Sequence, residues 1–273
     1  MIEALHYEFM RNALLAGVLA SIACGIIGTF VVVNRIVFIS GGIAHAAYGG
    51  IGIAFFFGLP PMAGAAGFSL LISVIMGVVT LERKYRADTI IGVLWAVGMA
   101  LGVILIDLTP GYNVDLMSYL FGSILAVPVS DLWLMGILDL IIMLAVVTLY
   151  KDFLALSYDE EFALVRGVPV RALYFLLLGL VALSVVMIIR VVGLILVIAL
   201  LTIPPYLAER YTGSLKSMMV CAILFSLAFT MVGLWISYVF NLTSGATVIM
   251  VGAAAFCLSG LIDWVRRALH FAS

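Results

Sequence analysis

The chain has 273 residues, of which 66% are hydrophobic and only 10% are charged, and its formal net charge is −1. Soluble domains carry about 25% charged residues, because a surface that faces water needs them. The composition therefore excludes a water-soluble globular protein and predicts an all-α, polytopic membrane protein. A net charge this close to zero leaves no electrostatic footprint for nucleic acid, so we expect no nucleic-acid partner.

Apolar segments long enough to cross a bilayer follow one another along the whole chain. A helix needs about 20 apolar residues to span the membrane, and by this measure the sequence predicts roughly nine transmembrane helices. They lie at Asn12–Val33, Gly42–Phe57, Pro61–Leu81, Thr89–Asp107, Leu132–Tyr150, Val170–Ile189, Val191–Ala208, Leu215–Tyr238 and Gly245–Val265. No linker or soluble domain interrupts them, so residues 1–273 are predicted to form a single transmembrane domain.

A shorter apolar piece, Val114–Val127, is bracketed by Pro110-Gly111 and Pro128. It is too short to cross the membrane and predicts a re-entrant or interfacial helix.

The basic residues predict the orientation of the chain. With nine crossings, every Lys and Arg except Arg11 and Arg190 falls on the same side of the membrane. Cytoplasmic loops carry an excess of Lys and Arg, so this asymmetry predicts an outside N terminus and a cytoplasmic C terminus. On the outer side, Arg11 and Arg190 can either pair with an acidic residue of a docked partner protein or extend toward lipid headgroups.

The longest predicted cytoplasmic connection contains the start and stop signals of a helix. Ser157 and Glu160 have the spacing of a capping box. Gly167 can adopt the left-handed conformation that ends a helix, and Pro169 prevents its continuation. These signals predict a short helix over about residues 157–168. Its apolar residues are Phe162, Leu164 and Val165. These side chains either enter the lipid interface or dock into a groove on a cytoplasmic partner.

Two polar residues inside predicted spans are candidates for function. His45 lies among glycines and alanines in the second span, where an ionisable side chain is costly. Its neutral imidazole can ligate zinc, manganese or iron, or it can hydrogen-bond a neighbouring helix as a packing residue. Asp139, inside the fifth span, either lines a pathway or pairs with a neighbouring helix. Gly98 and Gly102 form a GxxxG pattern, which favours close helix packing.

Three further acidic residues are predicted on the outer side. These residues are Asp107, Asp115 and Asp131. They either attract cations toward the protein or are ordinary residues of the membrane interface.

Several short motifs occur in order along nearly the whole chain. They are Gly28–Arg35, His45-Ala46, Asp88–Gly92, Phe121–Leu125, Asp159–Val168, Arg190–Gly193 and Leu201–Pro204. Together they resemble the permease subunits of ATP-binding-cassette (ABC) importers for divalent metals, the manganese, zinc and iron uptake class. The resemblance implies a homodimeric pore in a prokaryotic plasma or inner membrane. It also implies a separate cytoplasmic ATP-binding subunit, and an extracellular or periplasmic metal-binding protein that delivers the ion.

The same resemblance assigns roles to residues. It implies that the permease is not an enzyme, holds no permanent cofactor, and grips the ATP-binding subunit through a coupling helix. The implied contact residues are Asp159, Glu160, Phe162, Ala163, Val165, Arg166 and Gly167. The chain departs from the family at one position, because an aspartate often stands four residues before the histidine, where this chain has Gly41. Residues four apart share a helix face, so His45 carries over without its acidic partner.

The alternative function is a self-sufficient secondary carrier or channel for a cation. It would be driven by an ion gradient through His45 and Asp139. The shortage of acidic residues within the predicted spans counts against it.

Overall fold

The structure is a computed structural model that describes residues 6–82, 86–109, 120–194 and 197–271. The described residues form eleven α-helices and a 3-10 turn at Ile124–Ala126. The helices are α1 Glu8–Val33, α2 Val37–Phe57, α3 Pro61–Glu82, α4 Ala87–Asp107, α5 Val129–Thr148, α6 Tyr150–Tyr158, α7 Glu160–Val165, α8 Val170–Val192, α9 Val197–Glu209, α10 Leu215–Phe240 and α11 Ser244–Phe271.

Eight of these helices, α1 to α5, α8, α10 and α11, are long and apolar enough to cross a membrane. This confirms the predicted all-α, polytopic membrane architecture. The predicted span Val191–Ala208 differs in detail, because α8 continues to Val192 and α9 has only 13 residues. A helix of that length is about 20 Å long, whereas the hydrocarbon core is roughly 30 Å thick. Among the described residues, eight of the roughly nine predicted spans are thus full-length helices, and the remaining one is a shorter helix.

The break before α9 depends on a contact between two glycines. Gly122 and Gly193 have φ angles of 68° and 81°, and a Cβ built on either one would collide with the backbone of the other. Gly245, at the start of α11, joins them, because its Cβ would lie 2.6 Å from the carbonyl oxygens of Phe121 and Val192. We call this junction of three glycines the glycine end of the bundle. Irregular backbone at membrane depth is tolerated where it is buried within the protein, and the close contacts of this junction bury it.

The first part of the predicted re-entrant helix Val114–Val127, residues 114–119, lies outside the described residues. Its described part contains the 3-10 turn, with Ile124 buried.

The other end of the bundle gathers the turn at residues 34–36, the end of α3, the starts of α4, α8 and α10, and the helices α6 and α7. A cavity of about 370 Å³ there is lined by residues from six of these elements, including Arg35, Thr80, Asp88 and Glu160. A neighbouring cavity links Arg35 and Ser157 to the loop that follows α9. We call this the basic end. Its loops are the basic ones of the sequence.

The core of the bundle is formed by α1, α2 and α8, which are largely buried. In the surrounding helices α3, α4, α5, α10 and α11, most residues are at least partly exposed. On α5, for example, Trp133, Leu140 and Val147 are 73%, 65% and 71% exposed. Faces of this kind fit lipid or another membrane subunit, not water.

The helix predicted over residues 157–168 forms in a different register. Ser157 lies in α6, and Asp159 caps α7, with its Oδ1 accepting a hydrogen bond of 2.8 Å from the backbone N–H of Phe162. The predicted capping box of Ser157 and Glu160 is therefore wrong. Aspartate is as good an N-cap as serine, and Asp159 is the residue with extended backbone, at a φ of −153°.

The predicted helix stop is confirmed. Gly167 has a φ of 76°, in the left-handed region. The N–H groups of Gly167 and Val168 donate to the carbonyl oxygens of Leu164 and Ala163. These two bonds are those of a Schellman motif, which satisfies the last carbonyls of a helix.

Candidate functional site

His45 lies within α2, and its imidazole stacks on the indole of Trp95 from α4. The ring centroids are 4.0 Å apart and the ring planes are inclined by only 5°. Trp95 is itself held by a contact one turn along, because its Nε1 donates to Sδ of Met99 at 3.2 Å. His45 is 7% exposed and Trp95 is half-buried, so Trp95 covers the imidazole on one face.

The two helices come close enough for this stack because small residues line both of them. A Cβ on Gly98 of α4 would lie 2.8 Å from Cα of Ala46, and a Cβ on Gly102 would lie 2.5 Å from the carbonyl oxygen of Tyr48. On α2, Gly49 faces the carbonyl of Gly98 in the same way. The GxxxG pattern thus packs α4 on α2, as the sequence predicts.

The stack on Trp95 leaves the ring nitrogen Nδ1 of His45 without a contact among the described residues that satisfies it. Nδ1 is buried and has no hydrogen-bond partner in the part of the chain that the structure describes. Most buried polar atoms are satisfied, and an unpaired one calls for an explanation. A neutral imidazole nitrogen with a free lone pair is a metal ligand or a hydrogen-bond acceptor.

Gly41, one turn before His45, contacts another helix. A Cβ at Gly41 would lie 2.6 Å from Cδ1 of Ile198 in the short helix α9. The space beside Gly41, where the resemblance leads one to expect an acid, is therefore occupied by an aliphatic side chain. Any longer side chain at Gly41 has to displace Ile198.

Asp139 lies on α5 and is 5% exposed. Both of its carboxylate oxygens lack a hydrogen-bond partner among the described residues. The helix that carries it, α5, packs on α1.

The structure does not bring His45 and Asp139 together. α2 packs on α3, α4, α8 and α9, whereas α5 packs on α1, α8 and α6. Within the described residues, no group of three or more His, Cys, Asp or Glu side chains is placed to hold a metal ion. The described residues of the chain thus offer single polar groups at separate places.

Three of the candidate docking and cation-attracting residues, Arg11, Asp107 and Asp131, lie at the glycine end. Arg11 is exposed near the start of α1, and Asp107 is exposed at the end of α4. Asp131 is half-buried in the first turn of α5. Arg190 lies in the last turn of α8, but its side chain is outside the described residues, as is all of Asp115.

At the basic end, α7 presents an apolar surface. Phe162, Leu164 and Val165 are 51%, 57% and 88% exposed. The guanidinium of Arg166 lies 5.7 Å from the ring centre of Phe162. Ala163 is fully buried, so of the predicted contact residues it faces the bundle and anchors the helix.

Three residues that form specific contacts in the structure were not predicted from the sequence. Trp95 is the partner of His45, and Asn34 is the partner of Ser157. Arg210, after α9, binds Asp263 and Ser259 of α11 at 2.8 and 3.0 Å and so ties those two helices together. Each contact joins residues at least 49 positions apart in the sequence. The available sequence signal is the spacing of Trp95, Gly98 and Gly102, which places these three residues near one another on α4.

The comparisons with known proteins agree on the kind of protein. The family model "ABC 3 transport family" matches residues 6–263. The chain belongs to the ABC 3 transport family. This confirms the resemblance to the permease subunits of metal ABC importers.

Three individual similarities cover nearly the whole chain. An uncharacterised membrane protein of Synechocystis is 52% identical over 95% of this chain and 92% of its own length. The manganese transport system membrane protein MntC of Listeria monocytogenes is 34% identical, covering 94% of this chain and 91% of its own. The structure of PsaBC from Streptococcus pneumoniae in complex with Fab contains a chain with a TM-score of 0.86. That chain is 32% identical, with 94% of this chain and 93% of that chain covered.

Proposed function

We propose that this chain is the membrane permease subunit of an ABC importer that moves a divalent metal ion into a prokaryotic cell, with manganese as the first candidate. Membership of the ABC 3 transport family supports transport rather than catalysis. The preference for manganese rests on relatives that carry manganese in their names, among them MntC of Listeria monocytogenes and the manganese import permease ScaB of Streptococcus gordonii. Zinc and iron(II) remain the competing substrates, since a histidine nitrogen suits all three ions.

In this proposal the basic end faces the cytoplasm and the glycine end faces outward. The support is the charge asymmetry of the loops, which favours the basic side as the cytoplasmic one. The N terminus is then outside, the C terminus is cytoplasmic, and residues 1–273 work as one transmembrane domain. Arg11 and Arg190 lie on the side from which a binding protein would deliver metal.

The observation that carries the proposal is the exposed apolar surface of α7. A six-residue helix capped at both ends holds Phe162, Leu164 and Val165 outside the membrane-spanning helices. Such a helix cannot bury these side chains by itself, so a partner covers them. In an ABC permease that partner is the cytoplasmic ATP-binding subunit, which would meet Asp159, Glu160, Arg166 and Gly167 around the same surface, while Ala163 anchors the helix.

His45 is the proposed metal contact of the pathway. Its free Nδ1 can bind a passing ion, and the absence of an acid at position 41 keeps that binding weak. Weak binding suits transport, because an ion that is held tightly does not leave. One imidazole cannot fill a coordination shell, so water and His45 of a second permease in a homodimer would supply further ligands. Asp139 is the lesser candidate, since it lies on a different side of the bundle.

The coupling role of α7 is tested by co-purification with the ATP-binding subunit. Val165→Asp and Phe162→Asp place a charge on the apolar surface, and each is expected to abolish co-purification and metal uptake. Leu242→Asp is the matched control, since Leu242 is 54% exposed at the glycine end. Retention of the ATP-binding subunit by the Val165 variant, or its loss from the Leu242 variant, contradicts the proposal.

The identity of the metal is tested in cells that lack their own manganese importer. Expression of this chain with its ATP-binding and binding-protein partners should raise cellular manganese, measured by elemental mass spectrometry. A rise in zinc or iron without manganese would overturn the manganese assignment and leave the importer assignment standing.

A further inference from the structure

A groove opens on the side of the bundle between α5 and α10. The two helices both pack on α1 and leave a space of about 770 Å³ between them. Ile26 of α1 lies in the groove, and Met143, Val147 and Val220 line it with exposed fractions of 43%, 71% and 58%. The inner part of the groove is thus apolar and open to whatever surrounds the bundle.

The outer part of the same groove is cationic. Lys151 and Lys216 line its rim, together with Tyr150 and Asp152. Nζ of Lys216 lies 4.8 Å from the centre of the Tyr150 ring. In the described part of the chain, neither lysine forms an ion pair, and with one carboxylate beside two ammonium groups the rim is net positive.

The two parts match the layers of a bilayer. The apolar helix α5 ends at Thr148 and α10 begins at Leu215, so we expect both lysines at the level of the lipid headgroups. From Lys216 the groove continues to Ile223, which is about 10 Å further along the helix. A ligand that fills it therefore needs a negative charge at the membrane surface and a flexible apolar chain below.

We propose that this groove binds an anionic phospholipid, with its phosphate between Lys151 and Lys216 and an acyl chain along Met143, Val220 and Ile223. Basic pockets between transmembrane helices favour anionic headgroups. A second copy of the chain fits less well, because a twofold contact sets a surface against itself, and two concave grooves leave each other unfilled. A zwitterionic lipid gives the lysines a phosphate but adds a cation beside it.

The proposal is tested on the purified full-length chain by native mass spectrometry, with phosphatidylglycerol and phosphatidylcholine as probes. Each lysine near an anionic lipid contributes about fivefold in affinity, so Lys151→Ala with Lys216→Ala should weaken phosphatidylglycerol binding about thirtyfold. The pair Lys151→Arg and Lys216→Arg should keep it. Arg86→Ala with Arg171→Ala is the matched control, since both arginines are exposed at the basic end outside the groove.

Met143→Trp tests the apolar part, because the indole would fill the groove without touching its charge. It should reduce phosphatidylglycerol binding while the thermal stability of the solubilised chain is kept. Equal binding of both lipids, or undiminished binding by the double alanine variant, overturns the proposal. So does a cysteine at Val147 that cross-links two copies of the chain, since the groove is then a protein interface. None of these readouts requires transport, so their outcome is independent of the proposed function.

Discussion

Nδ2 of Asn34 donates a hydrogen bond of 3.0 Å to Oγ of Ser157, and this bond joins the turn after α1 to α6, the helix that leads directly into α7. Asn34 also caps α1 through the carbonyl of Phe30. We expect this bond to transmit a displacement of α7 by a bound partner to the turn between α1 and α2, and α2 carries His45.

We expect Ser157→Ala to weaken this connection without unfolding the chain. A buried or half-buried hydrogen bond contributes about 1 kcal/mol, which a bundle of this size tolerates. Metal uptake per ATP hydrolysed by the assembled importer should fall severalfold, while the ATP-binding subunit stays bound. Ser157→Thr keeps the hydroxyl and should restore the ratio. An unchanged ratio in the alanine variant would show that the bond does not transmit motion.

The role of His45 is separated from its packing by His45→Phe. Phenylalanine can still stack on Trp95, but it has no nitrogen to bind a metal. We expect expression and thermal stability close to those of the wild type and a loss of metal uptake of at least tenfold, measured with a radioactive manganese tracer. Trp95→Leu is the complementary variant, which removes the stack and keeps the ligand. Normal uptake by His45→Phe would assign His45 to packing alone.

The close contact between α2 and α4 predicts that Gly98 tolerates no side chain. In Gly98→Val the new atoms meet the backbone of Ala46, and overpacking of this kind costs about 1–3 kcal/mol. The yield of monodisperse protein and its melting temperature should both fall. Gly92→Val is the control on the same helix, because nothing lies within 4 Å of a Cβ at Gly92. Equal effects of the two substitutions would contradict the packing described.

The glycine end predicts a second contrast. Gly193→Ala combines a left-handed φ of 81° with a collision against the backbone around Gly122, so we expect severe loss of folded protein. Gly58→Ala has the same kind of φ, 68°, but nothing within 4 Å, so only conformational strain of about 1 kcal/mol remains. Size-exclusion profiles of the two variants distinguish them. A well-folded Gly193 variant would show that the junction is not needed.

The membrane helices were predictable because length and apolarity are local properties of the sequence. The division of the span Val191–Ala208 was not, since apolar residues continue through the break and the cause is Gly122, 71 positions earlier. The predicted N-cap of α7 was wrong for a similar reason. Ser157 and Asp159 are both good N-caps, and only the contact with Asn34 shows that Ser157 is engaged elsewhere. His45 was identified from chemistry alone, but its neighbour Trp95 required the fold.

We propose that this chain moves a divalent metal only when a separate ATP-binding subunit drives it. The direct test is uptake of radioactive manganese by proteoliposomes that contain this chain, with and without its ATP-binding subunit, supplied with the loaded binding protein. We predict uptake that requires both the subunit and ATP hydrolysis and that is unaffected by uncouplers. Uptake by the chain alone, abolished when the ion gradient is collapsed, would contradict the claim and identify a secondary carrier.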